Sequence, residues 1–215
     1  MLTDESDSTH DNADGEWREM LATLGTTRLY PPQTIFIHEG DSSDLLYLIL
    51  EGSGRIYSSN AEGRVIVYGE FASGDLLGEP ALDGGVRSAS VMTIEKTTCS
   101  VIRVTDFKAK IVDHPMFAMH VIFNLIRLVR STSESVKSLA LDDVYGRVVR
   151  LLMKNAPPEE SGWIIRPKLT HQAIADHVGS SREMVGRILK DLQTGGYLTV
   201  DKSAIVIHRK PPAGW

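Results

Sequence analysis

Leu169–Leu192 reads LTHQAIADHVGSSREMVGRILKDL, and its spacing predicts two short helices joined by a sharp turn. Thr170 is placed to cap a helix ending near Val178, because a side-chain oxygen there accepts from a first-turn amide that no helical carbonyl reaches. Gly179 supplies the left-handed residue on which such a helix stops. Ser180 or Ser181 caps the next helix, and Ser180 with Glu183 has the spacing of a capping box. In that second helix Val185, Ile188, Leu189 and Leu192 fall at i, i+3, i+4 and i+7, an apolar stripe that packs inward. The opposite face carries Arg182, Glu183, Gly186, Arg187 and Lys190.

That face has the chemistry to read a DNA major groove. Arginine donates a forked pair of bonds to O6 and N7 of guanine, and glutamate accepts from N4 of cytosine. Arg182, Glu183 and Arg187 fit these roles, and Gly186 lets the helix backbone come close. Thr170, Gln172, Ser181 and Lys190 are placed for phosphate contacts, which fix register without carrying sequence information. The alternative is a solvated i,i+4 network among the same charges, as on many surface helices.

The flanks extend the motif. A helix over Tyr145–Asn155, a turn Ala156–Gly162 and a strand Trp163–Arg166 precede it, and a hairpin of Tyr197–Val200 and Ala204–His208 follows. That order describes a winged helix-turn-helix over residues 143–215. Upstream, a helix opening at Thr105-Asp106 breaks at His114-Pro115, and a long helix covers residues 116–142. Its Ala118, Val121, Leu125, Leu128 and Leu139 keep a seven-residue beat on a and d positions, the seam along which two helices bury each other. Thr132 and Ser135 interrupt that seam. Two readings stay open here, a pairing of two copies and an amphipathic helix packed on its own domain.

Residues 17–115 begin with a helix Trp17–Leu24 and continue as short strands between glycine turns. Thr34–His38, Leu45–Leu50, Gly54–Tyr57, Val65–Phe71, Ala89–Thr93 and Cys99–Val104 carry the apolar and β-branched residues, as a small β-roll requires. Residues 1–16 hold six acidic side chains and no Lys or Arg, the composition of a disordered tail. The whole reads as an α+β chain: a jelly-roll-like β-roll, a long helix that is the candidate for dimerisation and ends in a candidate hinge near Leu139–Asp143, and a winged helix-turn-helix.

Net charge is −5 over 215 residues, an unpromising value for a nucleic-acid binder until it is divided. Residues 1–141 carry 12 Lys and Arg against 20 Asp and Glu, and residues 142–215 carry 11 against 8. An acidic half is therefore joined to a basic one. One cysteine, Cys99, forms no intrachain disulfide and reads as a core residue. With neither a secretion signal nor an apolar run long enough to span a bilayer, the expectation is a cytoplasmic protein without a membrane partner. The seven histidines show no paired metal spacing. Nucleophile elbow, Walker loop and zinc-protease helix are all missing, which argues against an enzyme.

SREMVGRILKDL, with SESVKSLALDDVYGRV before it, resembles the DNA-binding region of the cAMP receptor protein and FNR family of bacterial transcription regulators. The resemblance implies that Arg182, Glu183 and Arg187 read a TGTGA-like half-site within a palindrome. Ala173 departs from the pattern, since the closest family members carry glutamate there. Gly74–Ser90, GDLLGEPALDGGVRSAS, is similar to the family's phosphate-binding cassette, with Pro80–Val86 shorter than in the closest cAMP receptors. A cyclic nucleotide presents an anionic phosphate and a ribose 2′-hydroxyl, so its site needs a forked cation, main-chain amides and an acceptor. Arg87 and Ser88 suit the phosphate, amides near Gly78 and Ala89 add donors, and Glu79 suits the hydroxyl. On residue types alone, Glu79 and Arg87 also suit a structural ion pair. Thr132 and Ser133 correspond to the pair that contacts the adenine in cAMP-responsive members, and small helical hydroxyls are otherwise solvent-facing or back-bonded.

The resemblance thus implies cAMP as allosteric effector without a metal, and double-stranded DNA, a second copy and RNA polymerase as partners. Pro157–Gly162 is a candidate polymerase contact. Cyclic GMP, cyclic di-GMP and ligand-free activity remain alternatives for the switch. A nucleotide-binding regulatory module for another protein is the remaining alternative for the chain, and it leaves the basic helix face without a purpose.

Overall fold

A computed structural model describes residues 17–159 and 162–212. The acidic tail expected over residues 1–16 lies outside the described residues. Two compact units emerge: one runs up to Ser58 and resumes over Gly69–Leu128, and the other takes Ser59–Tyr68 and the chain from Val129. The division passes within the long helix, whereas the sequence reading sets its boundaries at that helix's two ends.

The first unit opens with α1 (residues 17–24) and holds β1 (Thr26–Tyr30), β2 (Ile35–Ile37), β3 (Leu45–Glu51) and β4 (Gly54–Ser59). β5 (Val65–Phe71), β6 (Leu76–Leu77), β7 (Ser90–Thr93), β8 (Thr97–Arg103) and α2 (Val104–Asp113) follow, with the tip of the β4–β5 hairpin grouped with the second unit. They form two four-stranded sheets, ordered β1-β8-β3-β6 and β2-β7-β4-β5. β3 shows why its sequence, LLYLILE, does not alternate. Leu46 and Leu48 pack with Trp17, Leu21, Ile102 and Phe107 under the helices. Tyr47 and Ile49, on the other face, pack with Ile37, Phe71, Val91 and Val101 between the sheets. A strand covered on both faces reads as a continuous apolar run.

Two strands go beyond the sequence reading. β1 is largely exposed and ends at Pro31-Pro32, so it lacks the alternating pattern of a half-buried strand. β6 is only two residues long. Ser100 on β8, fully buried, donates from Oγ to the Leu21 and Ala22 carbonyls at the end of α1, 3.2 and 3.1 Å away. These are helix-terminal acceptors without an intrahelical partner.

The long helix α3 spans Pro115–Leu141. Beyond it come α4 (Val144–Lys154), β9 (Pro158–Glu159), β10 (Gly162–Ile165), α5 (His171–Val178), α6 (Arg182–Thr194), β11 (Leu198–Val200) and β12 (Ile205–Ile207). The sheet order is β11-β12-β10-β9, so the predicted hairpin pairs with the predicted strand before the helices. One core joins Val148 and Leu152 of α4, Ile174 and Val178 of α5, Val185 and Leu189 of α6, and Ile205 and Ile207 of β12. The i, i+3, i+4, i+7 stripe of α6 is buried as expected.

The helix ends follow from local chemistry. Asp143 caps α4, its Oδ1 accepting from the Gly146 amide at 2.7 Å. Asp143→Ala should cost about 1 kcal/mol, read as a lower urea midpoint for the second unit; an unchanged midpoint would remove the cap's energetic role.

Candidate nucleic-acid interface and ligand site

Thr170 caps α5 by accepting from the Ala173 amide at 3.0 Å, and Gly179 ends the helix at φ 61°. Ala173 cannot return the reciprocal bond that a glutamate would give in a capping box. α6 starts at Arg182 with Ser181 as its cap, accepting from the Met184 amide at 3.2 Å. The expected Ser180–Glu183 capping box is not formed. Ser180 belongs to the end of α5 instead, its amide donating to the Ala175 carbonyl at 3.0 Å.

Arg182, Glu183, Arg187 and Lys190 all lie exposed on one side of α6. Among the described residues no ion pair or side-chain hydrogen bond joins these four charges, so the i,i+4 network that Glu183 and Arg187 could make is not present. Gly186 sits beside His171, where an added Cβ would touch the imidazole at 3.5 Å. Gln172 is exposed, and its amide nitrogen donates one N–H to Asp176 at 2.7 Å; the second N–H of that amide is the donor a phosphate contact needs.

In the first unit, Gly78 precedes a short 3-10 turn, Glu79–Leu82, and adopts φ 94°. A side chain at Gly78 would also collide with the guanidinium of Arg87. Arg87 is only 4% exposed. Its Nη1 donates to the Gly78 carbonyl at 2.8 Å and its Nη2 to the Leu45 carbonyl at 2.6 Å, with the Tyr47 ring 5.9 Å from the guanidinium carbon. Burial depresses its pKa, and among the described residues no carboxylate stands within ion-pair distance. Glu79 is half-buried and also dominated by desolvation, which raises its pKa, while the amides of Glu79 and Gly78 pull it back. The two side chains are neighbours without forming the structural ion pair that residue types alone allowed. Ser88 is exposed and Ala89 half-buried. The Leu45 carbonyl and the Tyr47 ring escaped the sequence reading, since nothing local links an internal strand to a loop 40 residues on.

Along α3, Leu125, Leu128 and Leu139 of the seam are exposed in the single chain, and Val121 packs on the helix-side core of the first unit. Thr132 and Ser133 are exposed, and Ser135 back-bonds to the Ser131 carbonyl at 3.0 Å. Cys99 is fully buried, which pushes its thiol up to about 11 and keeps it protonated. A separate cavity of about 400 Å³, bordered by Arg28, Asp44, Leu45, Arg103 and Asp106, takes in none of the cassette residues. No helix among the described residues is long and apolar enough to cross a membrane, and no metal-binding cluster occurs among them. Glu160 and Ser161 of the candidate polymerase turn lie outside the described residues.

Comparison with known proteins agrees with both halves. A family profile for a cyclic nucleotide-binding domain matches residues 27–114, and one for a Crp-like helix-turn-helix domain matches residues 146–211. The cAMP-activated global transcriptional regulator CRP of Haemophilus influenzae is 33% identical over 188 residues, covering 83% of this chain and 82% of that protein. The chain belongs to the CRP family. Another member, the cAMP-activated global transcriptional regulator Vfr of Pseudomonas aeruginosa, is 32% identical over 192 residues, covering 84% of this chain and 88% of its own. Among solved structures, the c-di-GMP responsive global regulator CLP of Xanthomonas campestris superposes with a TM-score of 0.81 at 27% identity, covering 93% of this chain and 100% of CLP. As a CRP-family member the chain is a DNA-binding transcription regulator with a cyclic-nucleotide-binding domain, and not an enzyme.

Proposed function

We propose that this regulator is switched by cAMP and, as a homodimer paired along α3, reads a palindromic TGTGA-like site. The observation that carries the switch is the buried guanidinium of Arg87. A buried cation is costly unless an anion or several good acceptors compensate it, and two carbonyls do so only in part. Arginine has five donors, so those two bonds leave others for a phosphate. Ser88 and the amides at Gly78 and Ala89 complete the anion's partners, and Glu79 accepts from the 2′-hydroxyl. Thr132 and Ser133 contact the base.

Ile122, Phe123, Leu125, Ile126, Leu128 and Val129 leave an apolar surface along α3 that a monomer rarely tolerates. A second copy of the same helix covers it. Two α6 helices about 34–36 Å apart then enter successive major grooves. Arg182, Glu183 and Arg187 read the bases, while Thr170, Gln172, Ser181 and Lys190 hold the phosphates. RNA polymerase is the further partner of the DNA-bound state.

The names of the relatives at about a third identity favour cAMP. The similarity to a c-di-GMP responsive regulator favours the second reading, cyclic di-GMP. Calorimetry of the purified chain with cAMP, cyclic GMP and cyclic di-GMP in turn separates them. The expected result is tightest binding of cAMP at one site per chain. Heat from cyclic di-GMP alone would replace cAMP as effector, and silence with all three would remove the switch.

A further inference from the structure

Arg147, on the first turn of α4, has two bonds that join distant parts of the second unit. Its Nη1 donates to the Asp142 carbonyl, just past the end of α3, at 2.8 Å. Its Nε donates to the Val178 carbonyl, the last of α5, also at 2.8 Å. Helix-terminal carbonyls lack intrahelical donors, and the negative end of the helix dipole favours a cation. One half-buried guanidinium therefore caps the C-termini of two helices. The residue after Val178 is Gly179, the turn of the recognition motif, and a Cβ placed there would touch Leu139 of α3 at 3.4 Å.

The junction is fastened a second time on its outer side. Ser138 Oγ donates to Asp142 Oδ2 at 2.8 Å, and Arg150 pairs with the same oxygen at 2.6 Å. The Ser138 hydroxyl, followed by the charges of Arg150 and Arg147, holds the Asp142 carboxyl below the usual carboxylate range. These bonds link the end of α3 to α4 through Asp142.

We propose that Arg147 is a positioning residue that ties the recognition motif to the end of the long helix, so that a change at the α3–α4 junction is passed to α6. The inference rests on the nucleotide-switched reading above. Only a planar fork serves both carbonyls, because a lysine ammonium is a single point at the end of a flexible stem. Asp142 and Arg150 brace the same junction from the solvent side.

The test is a thermodynamic cycle on the full chain. Affinity for a fluorescein-labelled palindromic TGTGA duplex is measured with and without saturating cAMP, and cAMP affinity with and without duplex. Wild-type coupling is expected in the usual range of about 5- to 150-fold, equal in both directions. Arg147→Lys should cut that coupling by about threefold or more while leaving cAMP affinity without DNA unchanged. Asp142→Asn, which keeps an acceptor for Ser138 but loses the charge facing Arg150, should cut it in the same direction and by less. Full coupling in both variants would overturn the positioning role and leave the cAMP reading intact. So would a loss of DNA affinity in Arg147→Lys that is identical with and without cAMP, since that marks a purely structural residue. A wild-type chain whose DNA affinity ignores cAMP would overturn the reading beneath it.

Discussion

Arg87→Leu is expected to lower cyclic-nucleotide affinity by about a hundredfold or more, with the fold retained. Each hydrogen bond to a charged group contributes about 1.5–3 kcal/mol, and about 1.4 kcal/mol is tenfold in affinity, so losing two donors to the phosphate reaches that figure. Stability moves less. The Gly78 and Leu45 carbonyls lose their donor, but leucine removes a buried cation that has no carboxylate partner. Arg87→Lys should fall between, keeping the charge and losing the fork. Calorimetry with cAMP beside a thermal melt reads both effects. Unchanged affinity in Arg87→Leu would mean that the phosphate lies elsewhere.

Arg182→Ala should cost about 1–3 kcal/mol on a matched half-site and much less on a site whose guanine has been replaced. Arg182 has no intrachain partner to lose, being exposed at the first position of α6 and outside any ion pair among the described residues. Its removal therefore reports on DNA and not on the fold. Lys190→Ala, by contrast, should weaken all sites alike and make the salt slope shallower by about one. Competition gel shifts against single-base variants distinguish the two patterns. Equal losses on matched and mismatched sites would make Arg182 a phosphate contact.

Much of this fold is legible in local chemistry, and the exceptions have physical causes. Thr170, Gly179 and the apolar stripe of α6 declare the helix-turn-helix because caps and periodicity act within a few residues. The same locality misleads at Ser180. Two adjacent serines compete for the cap, and the one whose amide closes the previous helix is unavailable. β1 escapes notice because an exposed edge strand buries no alternating face. In the cassette, residue types allowed an ion pair between Glu79 and Arg87. The choice is made by the Leu45 carbonyl, 42 residues from Arg87, which takes one donor and fixes the guanidinium away from the carboxylate. Arg147 was hidden for the same reason, as one of its two acceptors lies 31 residues away. The α3 seam is readable as periodicity, and a single chain leaves Leu128 and Leu139 about half exposed, the surface that the proposed homodimer would cover.

In the proposed switch a nucleotide makes two copies of this chain read one palindrome. Sedimentation of a labelled palindromic duplex with the protein, run with and without cAMP, is the decisive measurement. Two chains per duplex with cAMP, and a far weaker complex without it, are the expected result. One chain per duplex, or sedimentation indifferent to the nucleotide, would overturn the switch.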